Sequence, residues 1–167
     1  MSMTNNTLFN TSIEAGLRSL IILNSIYPDL IDLDRLLIYD YLILHTNDVD
    51  NHYKSLHPSI PHRSGELLVK RKLLQDGIEL MESRGLLSKH FLNEGIYYSA
   101  NKLTDPFLNY FESEYSIILK RYAEFIKNKF HHLSFSDLKN YITRNLDVWG
   151  GEFEYESVLR GEMDWGE

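Results

Sequence analysis

Residues 33–46 constrain the fold of this chain more than any other segment. They read Leu33-Asp34-Arg35-Leu36-Leu37-Ile38-Tyr39-Asp40-Tyr41-Leu42-Ile43-Leu44-His45-Thr46. As a helix, this segment places apolar groups nearly all round, through Leu36-Leu37-Ile38 and Leu42-Ile43-Leu44. A helix of that kind is stable in water only when other elements cover every side of it. It is therefore expected at the centre, capped by Asp32 or Asp34.

The remaining elements follow from periodicity and punctuation. Ile13, Leu17, Leu20, Ile21 and Leu23 recur at roughly helical spacing and predict a helix over 12–26, capped by Thr11 or Ser12 and ended by Tyr27-Pro28-Asp29. Residues 47–63 read as a loop of about 17 positions, long enough to suggest a function. A long helix is predicted over 64–84, with Ser64 as cap, Glu66 in its first turn, Leu67, Leu74, Ile78 and Met81 on one face, and Gly85 as its stop. Leu86–Leu92 and Ile96–Ala100 flank Asn93-Glu94-Gly95 and read as a β-hairpin. Thr104-Asp105-Pro106 opens a further helix to about Phe130, interrupted near Ser113. Its expected apolar face is Phe107, Tyr110, Phe111, Tyr115, Ile118, Leu119, Tyr122 and Phe125. Ser134 with Asp137 resembles a capping box for a last helix to about Leu146.

A long helix followed directly by a two-stranded wing is the order of a winged helix-turn-helix. The expected class is thus mainly α with a small β-hairpin wing (α+β), with additional C-terminal helices. The expected organisation is a flexible N-terminus (1–11), one winged-helix domain with a helical extension (12–146) and an acidic tail (147–167). The tail holds seven acids and one base, accounting for −6 of the net −7, so the body is close to neutral.

A 43% hydrophobic content fills one ordinary core. The 11 tyrosines and 8 phenylalanines suit a protein that rests against a partner, although core packing uses many of them. The absence of cysteine excludes disulfides and thiolate metal sites and favours the cytoplasm. Residues 1–10 lack the pattern of a signal peptide. No apolar run nears the ~20 residues that span a bilayer.

The segment Leu56-His57-Pro58-Ser59-Ile60-Pro61-His62-Arg63 has the densest chemistry. Two prolines restrict the backbone beside two histidines and an arginine, which describes a pre-ordered contact site. His45, His52, His57 and His62 are spaced by 7, 5 and 5, with no HExxH or helical i, i+4 pair, so they read as loop histidines rather than zinc ligands. His131-His132 reads as solvated. Ser59 and Ser64 lie near histidines, but no acid is evidently placed to orient a base, and there is no Gly-x-Ser-x-Gly elbow. Gly65 and Gly77 stand alone and form no phosphate loop. Asp48 with Asp50, and Glu112 with Glu114, read as solvated charges. No catalytic residue, metal, cofactor or small-molecule substrate is expected. Lys70, Arg71, Lys72 and Lys89 could touch DNA phosphates if the long helix entered a groove. The polar face of an amphipathic helix explains them more simply. Consecutive residues also point in different directions. A second basic stretch, Lys120, Arg121, Lys127, Lys129, Lys139 and Arg144, could meet the acidic tail or a partner.

The run from His57 to Arg71 resembles the signature of the middle component of ABC-three-component systems. So do Asp34 to Leu42, Ser83-Arg84-Gly85-Leu86-Leu87, Gly95-Ile96-Tyr97-Tyr98, Thr104-Asp105-Pro106-Phe107-Leu108 and Ser113-Glu114-Tyr115. The likeness covers about residues 12–130. It implies a bacterial defence role of the Lamassu antiphage type. In such systems a small winged-helix adaptor links an SMC-like ABC ATPase to an effector, often a nuclease, and helps hold that effector inactive. The partner-contacting residues expected on this reading are His57, Pro58, Pro61, His62, Arg63 and Glu66, with Trp149 and Trp165 towards the tail. The competing reading is a winged-helix DNA-binding regulator.

Overall fold

The computed structural model describes residues 11–56 and 64–149, with the backbone alone for 64–69 and 146–149. It is mainly helical, with a small three-stranded antiparallel sheet. The elements in order are α1 (Ser12–Ser25), β1 (Ile31–Asp32), α2 (Leu33–Leu44), α3 (Thr46–Val49), α4 (Ser64–Ser83), β2 (Leu87–Leu92), β3 (Gly95–Ala100), α5 (Thr104–Leu108), α6 (Glu114–Phe130) and α7 (Phe135–Trp149). No helix among the described residues is long and apolar enough to cross a membrane.

Helix α2 occupies the centre, as its apolar circumference requires. Every residue from Leu36 to Leu44 is buried. Leu36, Ile38, Leu42 and Ile43 are fully enclosed, each contributing about 1.5–3 kcal/mol of hydrophobic stabilisation. Asp32 caps the helix by accepting from the Arg35 N–H at 2.9 Å. At the other end the Thr46 hydroxyl donates to the carbonyls of Leu42 and Ile43.

Helix α1 starts at the Thr11 cap, whose hydroxyl accepts from the Glu14 N–H. It crosses α4 where two glycines meet. A Cβ on Gly77 would stand 2.5 Å from both the Gly16 nitrogen and the Ser12 carbonyl oxygen. Both neighbours are backbone, so the bare glycines set how closely these helices approach.

Helix α4 ends as its sequence predicts. Gly85 has φ of 72°, the Gly85 N–H donates to the Glu82 carbonyl, and the Leu86 N–H donates to that of Met81. This pair of bonds is the Schellman arrangement.

The sheet departs from the expected hairpin in one respect. A third strand, β1, pairs with β3, placing Ile31 opposite Tyr98 and Asp32 opposite Tyr97. At two residues it is too short for period-2 alternation to reveal it. The loop expected over 47–63 also begins later than predicted, because Thr46–Val49 forms a helical turn. Ser113 separates α5 from α6 by accepting from the Ser116 N–H. Ser134 caps α7 through the Asp137 N–H. Helix α7 then continues to Trp149, three residues beyond the expected end, so 147–149 are helical rather than tail.

Two apolar positions are misassigned by periodicity. Ile13 is 56% exposed on α1 and Tyr110 is 86% exposed after α5.

Candidate partner-binding surfaces

His57, Pro58, Pro61, His62 and Arg63 lie outside the described residues, as does Trp165. Glu66 falls in the first turn of α4 and Trp149 closes α7, both described by backbone alone. The structure does describe how the chain is held on the approach to His57. The Leu56 N–H donates to the Leu44 carbonyl, and the Tyr122 hydroxyl donates to the Lys54 carbonyl. The Asn47 amide donates to the Tyr53 carbonyl, and Tyr53 packs its ring on Phe125 at 4.4 Å. Residues 47–56 are thus fastened to the end of α2 and to the middle of α6.

The histidines and acids of this region are more engaged than their sequence context suggests. His45 is not a loop residue. It is buried at the end of α2, its ring 4.6 Å from that of Tyr41. Asp48 is not simply solvated: it is partly buried and accepts from the Tyr41 hydroxyl, and burial pushes its carboxyl above the usual range. Asp50 is held below that range by the backbone and ring N–H groups of His52. His131, expected to be solvated, bridges the Tyr39 hydroxyl and the Asp29 carboxylate. Among the described residues no group of three His, Asp or Glu side chains is placed to hold a metal ion.

The four basic residues considered for DNA separate by environment. Arg71 forms an ion pair with Asp34 across α4 and α2. Lys70 lies over the Tyr41 ring at 5.7 Å. Lys72 is exposed and faces Asp76 one turn on. Lys89 sits 4.0 Å from Glu82 and 5.5 Å from the centre of the Phe91 ring. They do not form one continuous positive face.

The hairpin offers a different surface. Its base is buried through Leu87, Tyr98, Ser99 and Ala100. Its tip is not: Phe91 is 76% exposed, Leu92 46% and Ile96 43%, and Phe91 stands directly opposite Ile96. Cross-strand partners share one face of a sheet. Phe91 and Ile96 therefore project together from one face of the hairpin tip, while Leu92, next along β2, is exposed on the other face, and exposed apolar groups gathered in this way mark a contact surface.

A second feature escaped the sequence reading. Arg18 on α1 and Asp40 on α2 form a buried two-pronged pair, Nε to Oδ1 at 2.7 Å and Nη2 to Oδ2 at 3.1 Å. Burial works against the Arg18 charge, yet Asp40 keeps its pKa above the ordinary value. The guanidinium lines a cleft of about 290 Å³ between α1 and α6, walled by Leu17, Ile21, Leu108, Phe111, Tyr115 and Leu119. Glu14 lines the same cleft, and burial pushes its carboxyl up while Arg18 partly pulls it back. Nη1 of Arg18 is buried with no hydrogen-bond partner among the described residues. The signal was present in the sequence: one arginine beside Leu17 and one aspartate inside an apolar helix, since buried charges are almost always paired.

Residues 8–152 match the family model described as ABC-three component (ABC-3C) system Middle Component 2. Neither the curated proteins nor the solved structures gave a match to the chain.

Proposed function

From the premise that this chain belongs to the middle component 2 family of ABC-three-component systems, we propose that it is a non-enzymatic adaptor. On this reading it joins an SMC-like ABC ATPase to an effector such as a nuclease, in a Lamassu-type antiphage complex in the cytoplasm, and helps hold the effector inactive. The observation that carries the proposal is the hairpin tip. Phe91 and Ile96 are exposed side by side on one face, with Leu92 exposed on the other, and apolar groups so placed gain most when a partner covers them. The order of elements supports reading the domain as a winged helix, with β2 and β3 as the wing. The His57–Arg63 segment supplies a second contact, because groups beside fixed prolines lose little entropy on docking.

A DNA-reading role draws less support from the same surface. Arg71 is occupied by Asp34 and Lys72 has an acid beside it, whereas phosphate binding requires cations free to displace counterions.

The test is co-purification of the full chain with the ATPase and effector subunits of its own system. The expected result is a stable complex that His62→Ala with Arg63→Ala, or Phe91→Asp, weakens by about tenfold or more. Wild-type association with neither subunit, or variants that bind as wild type does, would remove the adaptor reading.

A further inference from the structure

His131, at the end of α6, lies between two oxygens in different surroundings. Its Nδ1 is 3.2 Å from the hydroxyl of Tyr39, a residue only 1% exposed. Its Nε2 is 2.9 Å from Oδ2 of the exposed Asp29. Arg35 decides which way the protons run. A guanidinium only donates, so the Tyr39 oxygen accepts from Arg35 Nε at 2.9 Å. Burial pushes the Tyr39 hydroxyl above its ordinary pKa, so it keeps its own proton. Among the described residues the acceptor bonded to that proton is His131 Nδ1. Nδ1 is therefore bare, and the neutral ring carries its hydrogen on Nε2 and donates it to Asp29.

A proton added to Nδ1 breaks this order. The Tyr39 oxygen then faces two donors, Arg35 Nε and His131 Nδ1, and its own hydrogen has lost its acceptor. A buried hydroxyl without an acceptor is costly, and the Arg35 charge at the same oxygen adds repulsion. Asp29 cannot relieve this, because it bonds the other ring nitrogen. The ring has room to leave. A pocket of about 210 Å³ opens beside it, lined also by Leu30, Ile31, Asp32, Arg35, Tyr97 and Phe135. The charged and titratable groups around His131 are Asp29 and Asp32 before α2, Arg35 and Tyr39 on α2, and Tyr97 on β3. Helix α6 offers the Lys127 carbonyl to the His131 main-chain N–H, and α7 offers the apolar Phe135.

We propose that His131 is a proton-operated latch on α7. The neutral ring is tied to Tyr39. The protonated ring leaves Tyr39 for the pocket that holds Asp32, and there it displaces Phe135 at the start of α7. The latch reaches α7 because His131 and Phe135 bracket the turn that Arg35 holds through the carbonyls of Phe130, His131 and Leu133. The proposal is independent of the adaptor reading.

The experiment follows the histidine rings of the isotope-labelled full chain by long-range proton–nitrogen correlation, with His131→Gln identifying the His131 signals. Amide exchange of α7 is measured at each pH as a protection factor corrected for the intrinsic rate. The expected result is a neutral ring with its hydrogen on Nε2. As the ring takes up its proton, α7 protection should fall by about tenfold or more while that of α2 holds. Tyr39→Phe removes the hydroxyl that creates the conflict, so its α7 protection should not respond to the titration of His131. His131→Gln should show no response either, and it provides the comparison if Tyr39→Phe does not fold. A neutral ring with its hydrogen on Nδ1 would overturn the proposal. So would α7 protection that stays constant while His131 titrates, or the wild-type response in either folded variant.

Discussion

Helix α2 and the tip of the β2–β3 hairpin are built from the same kinds of side chain, and the fold treats them in opposite ways. Leu36, Ile38, Leu42 and Ile43 have no exposed surface, whereas Phe91 lies largely in solvent and Leu92 and Ile96 are exposed for nearly half of theirs. The difference comes from neighbours rather than residue type. Helix α2 is packed by α1, α4 and α6 and contacts the sheet through β1 and β3. At the hairpin tip the side chains are exposed, and among the described residues Lys89 lies over the Phe91 ring. The same hydrophobicity therefore stabilises the monomer in one place and is left for a partner in the other.

That contrast can be broken experimentally, most severely at the centre. Asp40→Ala leaves Arg18 as an uncompensated buried charge and should destabilise the protein by about 3–5 kcal/mol. A loss of unfolding free energy of under about 1 kcal/mol in urea denaturation would mean that the α1–α2 interface tolerates an unpaired charge far better than its burial implies. The Gly16–Gly77 crossing comes next. Alanine at position 77 gains about 1 kcal/mol in helix propensity, but its Cβ would sit 2.5 Å from two backbone atoms that cannot rotate away. Overpacking costs typically 1–3 kcal/mol, and with contacts this short the net effect should be destabilising. A higher melting temperature for Gly77→Ala would show that the helices can separate without loss. The smallest effect belongs to the hairpin tip. Phe91→Ser should change stability by no more than about 0.5 kcal/mol, and a larger loss in thermal unfolding would place the tip within the core.

The helices were legible from the chain wherever caps and periodicity agreed. Asp32, Ser113, Ser134 and Gly85 each perform the boundary role that their positions suggested. Strand β1 was not legible, because two residues carry no pattern and its pairing depends on Tyr97 and Tyr98 more than sixty positions away. Gly77 read as an isolated glycine until Gly16 was found against it. The exposure of Ile13 and Tyr110 was hidden for the same reason: spacing reports which face a residue occupies, not whether anything covers that face. The surfaces were legible in part. The hairpin was expected, but its apolar tip was read only as strand, and the Arg18 cleft depends on a pairing between two helices that sequence spacing does not reveal.

Arg35 has a mechanical consequence for the far end of the chain. From α2 its Nε donates to the Tyr39 hydroxyl, and one Nη2 donates to the carbonyls of Phe130, His131 and Leu133. This fixes the turn between α6 and α7 to the central helix, and α7 starts two residues later. Fifteen helical residues from that point, at 1.5 Å each, span about 22 Å. Leu138 and Ile142 bury in the core along that length, so the course of α7 is set at its first turn by an arginine that belongs to another helix.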